Sequence, residues 1–220
     1  YSSFKKINMK KQFQLLALAF IFFGFSGYLH AQDMGLGIRG GLNLANQTFE
    51  SSGLSVSPDS KVGLVVGILA DLPVTDALSI QPELDFIQKG ASLSTEFFGT
   101  QIESSQTINY LELPVMAKYK FGTETIGIGI LAGPIFGFGI SGKSKVTENG
   151  TTTESDLDWD NDNVKRTDLG LGVGGVVNFG NLFLDLRYVF GIADIEDTND
   201  GKVKNKGFQV GLGFMIFNNN

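Results

Sequence analysis

From Met34 onward, hydrophobic and polar positions alternate with a period of two. In the first run Leu36, Ile38, Leu42 and Leu44 share one face while Arg39, Gly41 and Asn43 take the other. That is the side-chain alternation of a strand with one apolar side. The run from Lys61 to Pro73 gathers Val62, Leu64, Val66, Ile68 and Leu72 opposite Asp71, and the run from Ala77 to Thr95 sets Leu78, Ile80, Pro82, Leu84 and Phe86 against Gln81, Glu83, Asp85 and Lys89. Between Thr107 and Phe121, Leu111, Leu113, Val115, Ala117 and Tyr119 oppose Glu112 and Lys118. Ile126 to Ile140 alternates Ile128, Ile130, Phe136 and Phe138 with Gly127, Gly129, Gly137 and Gly139. Arg166 to Phe179 sets Leu169, Leu171, Val173 and Val177 against Asp168 and several glycines. Leu182 to Ile192 opposes Leu184, Leu186, Tyr188 and Phe190 to Asp185 and Arg187, and Asn205 to Phe217 opposes Phe208, Val210, Leu212, Phe214 and Ile216 to Gly207, Gln209, Gly211 and Gly213. These runs predict eight strands, each with a face that carries the charges.

The links between runs alternate as well. Those at Thr75-Asp76, Gly122 to Thr125 and Gly180-Asn181 are short, as in a hairpin meander. Those at Phe49 to Ser60, Gly90 to Gln106, Ser141 to Lys165 and Ala193 to Lys204 are long and polar. A soluble sandwich also alternates, but its strands run to about 5 or 6 residues. A tilted strand needs about 9 to 11 residues to cross hydrocarbon, closer to the lengths here, and short turns on one rim with long loops on the other mark transmembrane barrels. The pattern therefore predicts an all-β fold: an eight-stranded antiparallel transmembrane β-barrel with short periplasmic turns and long extracellular loops. Lipid offers no partner to an open sheet edge, so the eighth strand must close on the first.

The N-terminal segment reads as an address. Lys10 and Lys11 precede an apolar stretch from Phe13 to Phe25, which at about 13 residues is short of the ~20 a spanning helix needs. Ser26 to Ala31 then relaxes toward small residues, as before a signal-peptidase site. The expected organisation is an upstream extension at 1–8, a signal peptide at 9–31 beginning at Met9, and the barrel at 32–220, exported to the outer membrane of a Gram-negative bacterium.

Composition narrows the chemistry. All 23 acidic residues follow Gln32 whereas four of the 17 basic ones precede it, leaving 13 basic residues and a net charge of −10 in the exported part. Phosphate-backbone binding needs clustered Lys and Arg, so nucleic acid is not an expected partner. There is no Cys, which removes lipid attachment, disulfides and thiolate metal sites. The single His, His30, lies in the expected signal peptide, so the barrel lacks imidazole for a Ser-His pair, haem or zinc. No cofactor and no catalytic activity are expected.

An eight-stranded interior is just wide enough for its own side chains. Arg39, Asp71, Glu83, Asp85, Lys89, Glu112, Lys118, Asp168, Asp185 and Arg187 are expected to fill it as a charge network. Glu83 and Asp85 are a carboxylate pair that could serve general acid-base chemistry, but a salt-bridged lumen with Lys89, Lys118 and Arg187 is the favoured reading. In the third long link Asp156, Asp158, Asp160 and Asp162 alternate around Leu157 and Trp159. An EF-hand starting at Asp156 would need Gly and Glu where Asn161 and Thr167 stand. That leaves a weak divalent-cation site or a solvated acidic loop. Asn46-Gln47-Thr48 and Asn149-Gly150-Thr151 match glycosylation sequons, a match too common to inform. Tyr110, Tyr119, Phe121, Phe179, Tyr188 and Phe217 fall near strand ends, where interface girdles form.

The phrases GIRGGLNLAN from Gly37, LSIQPELDFIQKGA from Leu78, YLELPVMAKY from Tyr110, Gly133-Pro134 and RYVFGIADI from Arg187 together resemble the PorT-like outer-membrane β-barrel family across nearly the whole exported chain. The third and fourth runs are its most specific portions. The resemblance implies fold and location more than activity. Its name derives from a barrel required for secretion of gliding and virulence proteins, while members with these phrases are small barrels without an assigned role. The chain departs from the usual barrel ending by carrying Asn218, Asn219 and Asn220 after Phe217. The expected partners are outer-membrane lipid and surface or secretion-system proteins reached through the long loops, so the expected function is structural or surface-interacting. An accessory role in secretion or gliding and a narrow solute channel are the alternatives.

Overall fold

The computed structural model describes residues 34–51, 54–56, 58–97, 100–122, 127–159, 161–196 and 201–217. The expected signal peptide, His30, Asp160 and Asn218 to Asn220 lie outside these residues. Ten strands occur among the described residues: β1 (Gly35–Ser51), β2 (Leu54–Val56), β3 (Lys61–Pro73), β4 (Leu78–Phe97), β5 (Thr100–Gly122), β6 (Gly127–Glu148), β7 (Thr151–Asp156), β8 (Thr167–Phe179), β9 (Leu182–Gly191) and β10 (Lys202–Phe217). Eight of them form the wall in the order β10-β9-β8-β6-β5-β4-β3-β1, and β10 pairs with β1 to close the ring. All pairings are antiparallel. The expected barrel and its strand order are what the chain forms.

Alternation decides which side faces in. On β1, Arg39 and Asn43 are buried while Ile38, Leu42 and Leu44 are exposed; on β10, Gln209 is buried while Phe208, Val210 and Leu212 are exposed. A soluble protein would not leave Leu212 67% exposed beside Val66 at 58% and Ile68 at 57%, since contiguous apolar surface of that extent is stable only against lipid. β2 and β7 are not wall strands. They fold back onto β1 and β6, as Phe49↔Val56 and Lys145↔Glu154 show.

The expected loops Gly90 to Gln106 and Ser141 to Lys165 are largely strand instead. The β4–β5 ladder continues from Gly90↔Thr107 to Phe97↔Thr100, and β6 runs on to Glu148 before turning into β7. Both faces of these extensions are largely polar and Ser- and Thr-rich, with only scattered apolar residues such as Leu93, Ile102 and Val146, so no sustained apolar period marks them. The Asn149-Gly150 turn has φ of 48° and 82°, both positive as a type I′ hairpin requires and as an Asn-Gly pair supplies. Gly90, at φ 143°, could not carry a side chain, because a Cβ there would lie 2.0 Å from the Gln106 carbonyl oxygen.

Two buried apolar clusters bracket the interior. Leu69, Met116, Leu131, Val176, Phe183 and Met215 pack toward the short turns. Toward the long links, Val65, Ile87, Ile108 and Tyr110 pack with Leu157, Ile195 and Val203, and Trp159 and Val164 lie against them.

Candidate functional site

Between these clusters the lumen is charged. β1 supplies Arg39, whose Nη2 donates to Asp85 Oδ2 at 2.7 Å and to Gln209 Oε1 at 3.1 Å, while Nη1 donates to Asp185 Oδ1 at 3.2 Å. Its Nε stands 3.3 Å from Glu83 Oε2. Arg187, on β9, donates to both Glu83 oxygens at 2.9 and 3.1 Å and to Asp185 Oδ2 at 2.8 Å. Gln81 Nε2 donates to Glu83 Oε1 at 2.7 Å. Space for this cluster comes from a missing side chain: a Cβ on Gly67, opposite Arg39 and Asp85, would sit 1.8 Å from Asp85 Oδ1.

A second layer lies toward the long links. Lys89 Nζ is 2.5 Å from Glu112 Oε1 and 2.9 Å from Asp168 Oδ2, and stands 5.4 Å from the centre of the Tyr110 ring. Asn205 Nδ2 donates to Asp168 Oδ2 at 3.0 Å and to the Tyr110 hydroxyl at 3.3 Å, and Asn205 Oδ1 accepts from Gln47 Nε2 at 3.2 Å. A third group links Lys118 Nζ to Asp71 Oδ2 at 2.6 Å and to Gln81 Oε1 at 3.2 Å, with Lys120 Nζ 3.1 Å from Asp71.

All ten charged residues singled out from the alternation are therefore buried, and every one has an opposite charge within ion-pair distance. Glu83 and Asp85 are held by guanidinium groups, and the arrangement pairs buried charges and fills space. Sequence reasoning missed Gln47, Asn205 and Tyr110. Tyr110, expected among the girdle rings, is fully buried, because it shares parity with Glu112, the one signal in the sequence that places it in the lumen. Tyr119, Phe121, Phe179 and Phe217 do lie outward at the short-turn ends of their strands.

The acidic link is partly a plug. Leu157 is buried, and Gly142 and Gly139 leave the room that Leu157 and Trp159 occupy. Arg166 stacks 4.7 Å from the Trp159 ring centre. Asp162 Oδ2 accepts from Asp158 N at 2.8 Å, and Asp158 Oδ2 accepts from Asn161 Nδ2 at 2.6 Å, so these two carboxylates close a turn. Among the described residues no group of three or more His, Cys, Asp or Glu is arranged to hold a metal ion.

Outside the wall, a polar ladder crosses three strands above the aliphatic band. Gln88 Nε2 donates to Asn109 Oδ1 at 3.1 Å and Asn109 Nδ2 to Ser141 Oγ at 2.9 Å. Asn46 Nδ2 donates to the Pro58 carbonyl at 2.7 Å and Ser60 Oγ at 3.1 Å. Outward amides cannot face hydrocarbon without cost, so this level marks the membrane boundary. Past it, β4, β5, β6 and β7 continue as a projecting polar sheet. An open cleft of about 460 Å³ is lined there by Glu96, Gln101, Glu103, Thr147, Asn149 and Gly150.

A closed antiparallel ring with an aliphatic exterior, an ion-paired interior and a polar rim defines a membrane-spanning barrel. The chain belongs to the outer membrane protein beta-barrel domain family, whose model matches residues 30–197, and its place is the cell outer membrane. Among solved structures it is similar to the attachment invasion locus protein Ail of Yersinia pestis, at 16% identity over 84% of this chain and 99% of that one with a TM-score of 0.43. It is also similar to Neisserial surface protein A, at 17% identity over 81% and 96% with a TM-score of 0.37. The outer membrane enzyme PagL matches at 14% identity over 79% and 99% with a TM-score of 0.37. No curated protein matches the chain.

Proposed function

We propose that this protein is a non-catalytic surface barrel, PorT-like in its strand phrases and exported behind a leader at 9–31, whose projecting hairpins make its contacts outside the cell. The observation that carries this reading is the continuation of β4, β5, β6 and β7 beyond the polar ladder as a four-stranded sheet. At about 3.3 Å per residue, β5 with 23 residues is more than twice what the membrane requires. Conducting solute is disfavoured by the two apolar clusters and the ion-paired layers between them. Because the chain has no Cys, single cysteines report topology without background. Thr152→Cys on β7 should react with a membrane-impermeant maleimide on intact cells and Asp76→Cys should not, whereas the reverse pattern would turn the barrel over and remove the surface role. Steady wild-type conductance in planar bilayers would replace this reading with the channel.

A further inference from the structure

The sequence contains a single Asn-Gly pair, Asn149-Gly150, and it stands at the tip of the projecting β6–β7 hairpin, between the paired residues Glu148 and Thr151. Both residues are exposed, and a Cβ on Gly150 would meet nothing within 4 Å. Asn149 N donates to the Gln101 carbonyl oxygen at 3.3 Å, which anchors the entry to the turn. Among the described residues, neither the Asn149 side-chain amide nor the Gly150 N–H has a hydrogen-bond partner. An amide carbon and the backbone nitrogen of the next residue therefore lie side by side, open to water, with no side chain between them.

Other asparagines differ in what surrounds them. Asn163 has the same left-handed backbone, at φ 52°, but Val164 follows it. That side chain is β-branched, lies against the upper apolar cluster, and sits on a residue bridged to Glu196. Asn46, Asn109 and Asn205 engage their side-chain amides in hydrogen bonds, and Gln47, Tyr110 and Lys206 follow them.

We propose that Asn149 is a self-modifying site, which converts with time to isoaspartate and aspartate and thereby loosens the projecting hairpin. Gly150 N attacks Asn149 Cγ, an intramolecular step that glycine leaves uncrowded. The new N–Cγ bond closes a succinimide ring, the Cγ–Nδ2 bond breaks, and Nδ2 leaves as ammonia with the proton given up by Gly150 N. Water then adds to one ring carbonyl. Breaking the bond from Gly150 N to Cγ gives aspartate, and breaking the bond from Gly150 N to the Asn149 main-chain carbon gives isoaspartate. Isoaspartate lengthens the main chain by a methylene and puts a carboxylate where a neutral amide stood. A type I′ turn matches the twist of its strands only at its own length, so the Glu148↔Thr151 rung is lost first. Among the described residues β7 pairs with β6 alone, and nothing else holds it in place. The new carboxylate also joins Glu96 and Glu103 in lining the cleft at the tip, which adds like-charge repulsion there.

The test is peptide mapping by mass spectrometry of the purified full chain, refolded into lipid vesicles and incubated in heavy-oxygen water. The peptide holding Asn149 should exchange its amide for a hydroxyl carrying heavy oxygen and yield both products. Conversion should be faster in mildly alkaline than in mildly acidic buffer, because the attacking nitrogen must lose its proton. Gly150→Ala should slow it about ten-fold or more, equivalent to a barrier about 1.4 kcal/mol higher. Asn163 should keep its amide over the same time. Amide exchange in β7 should be faster in the isoaspartate fraction, whereas Asn149→Asp, which adds the charge without the methylene, should keep most of the protection. An Asn149 that stays an amide, equal conversion in Gly150→Ala or at Asn163, or unchanged β7 exchange in the isoaspartate fraction would overturn the proposal. Wild type supplies the main reading, so a variant that fails to fold leaves the test standing. The chemistry needs only water, so the outcome does not depend on a surface partner or on which rim faces the cell exterior.

Discussion

Arg187 and Glu83, 104 positions apart in the chain, meet in the lumen through two parallel hydrogen bonds of 2.9 and 3.1 Å. A planar fork against a carboxylate is the strongest pairing two side chains make, and here both are fully buried. Removing one member leaves the other charged in a low-dielectric interior. Arg187→Leu should therefore destabilise the barrel by about 3 to 5 kcal/mol, read as a shift in urea unfolding after refolding into lipid vesicles. Replacing Arg187, Glu83 and Asp185 together with apolar residues of similar volume should cost far less. A neutral Arg187→Leu would mean that water reaches this layer.

The outward face should respond to the opposite chemistry. Leu212 is flanked by Leu184 and Gly40 near the middle of the aliphatic band, and Leu212→Arg should cost about 2 to 4 kcal/mol by placing a charge in hydrocarbon. The same kind of substitution at Thr48, which pairs with Lys204, should fall within about 1 kcal/mol of wild type. Equal effects at the two sites in vesicle-refolded protein would argue that the band is not where lipid lies.

Gly67 tests whether the lumen is packed as tightly as its contacts state. Gly67→Ala places a methyl 1.8 Å from Asp85 Oδ1 and 2.8 Å from the Leu84 carbonyl oxygen, so Asp85 must leave Arg39. The expected loss is about 1 to 3 kcal/mol, as for overpacked cores. Gly150→Ala meets nothing within 4 Å and carries only the strain of its positive φ, about 1 kcal/mol. A Gly67→Ala variant as stable as wild type would show that the lumen has slack.

The projecting hairpin has its own pH dependence. The hydrogen bond from Lys145, reinforced by its positive charge, holds the Glu154 carboxyl below its ordinary value. A depressed folded-state pKa contributes order that is present above the unfolded-state value, about 4.3 for Glu. That contribution disappears as pH falls through the lower, folded value. Carboxyl-detected NMR should show Glu154 titrating below the ordinary glutamate value, and amide exchange in β7 should accelerate only in that acidic range. Lys145→Gln should return Glu154 to the ordinary range, and an unmoved titration would remove the ion pair from the account.

The barrel was legible because lipid outside and packing inside impose opposite demands on successive residues, and the chain answers at every rung from Leu36 to Leu44 and from Phe208 to Ile216. Glu83, Asp85, Asp185 and Arg187 could be placed in the lumen by parity. Their partners could not, because strand tilt and stagger decide which rungs share a level: Arg39 reaches Asp185 on β9 although no ladder joins β1 to β9. The projecting sheet escaped the reading because water on both faces erases the period. Its remaining signal was local, in Asn149-Gly150, where an abundant sequon match overlies a hairpin turn. Leu157 and Trp159 were hidden by their acidic neighbours, since only tertiary structure shows Gly139 and Gly142 opposite them.

The β1–β10 seam has a consequence in time. Arg39 and Gln209, joined across it, are 170 positions apart, and fourteen further rungs from Gly37↔Met215 to Glu50↔Lys202 include none that can form early. Every other wall pairing is a local hairpin or near neighbour that zips with little loop closure, whereas this one must wait for the whole chain to circle back. Until then β1 and β10 each present an unpaired edge flanked by aliphatic rows, the geometry most prone to pair with another chain. The slow step in assembly is thus the last ladder, and the folding rate should answer to substitutions along Gly40, Gly41 and Gly211, where the closing strands meet with the least side chain between them.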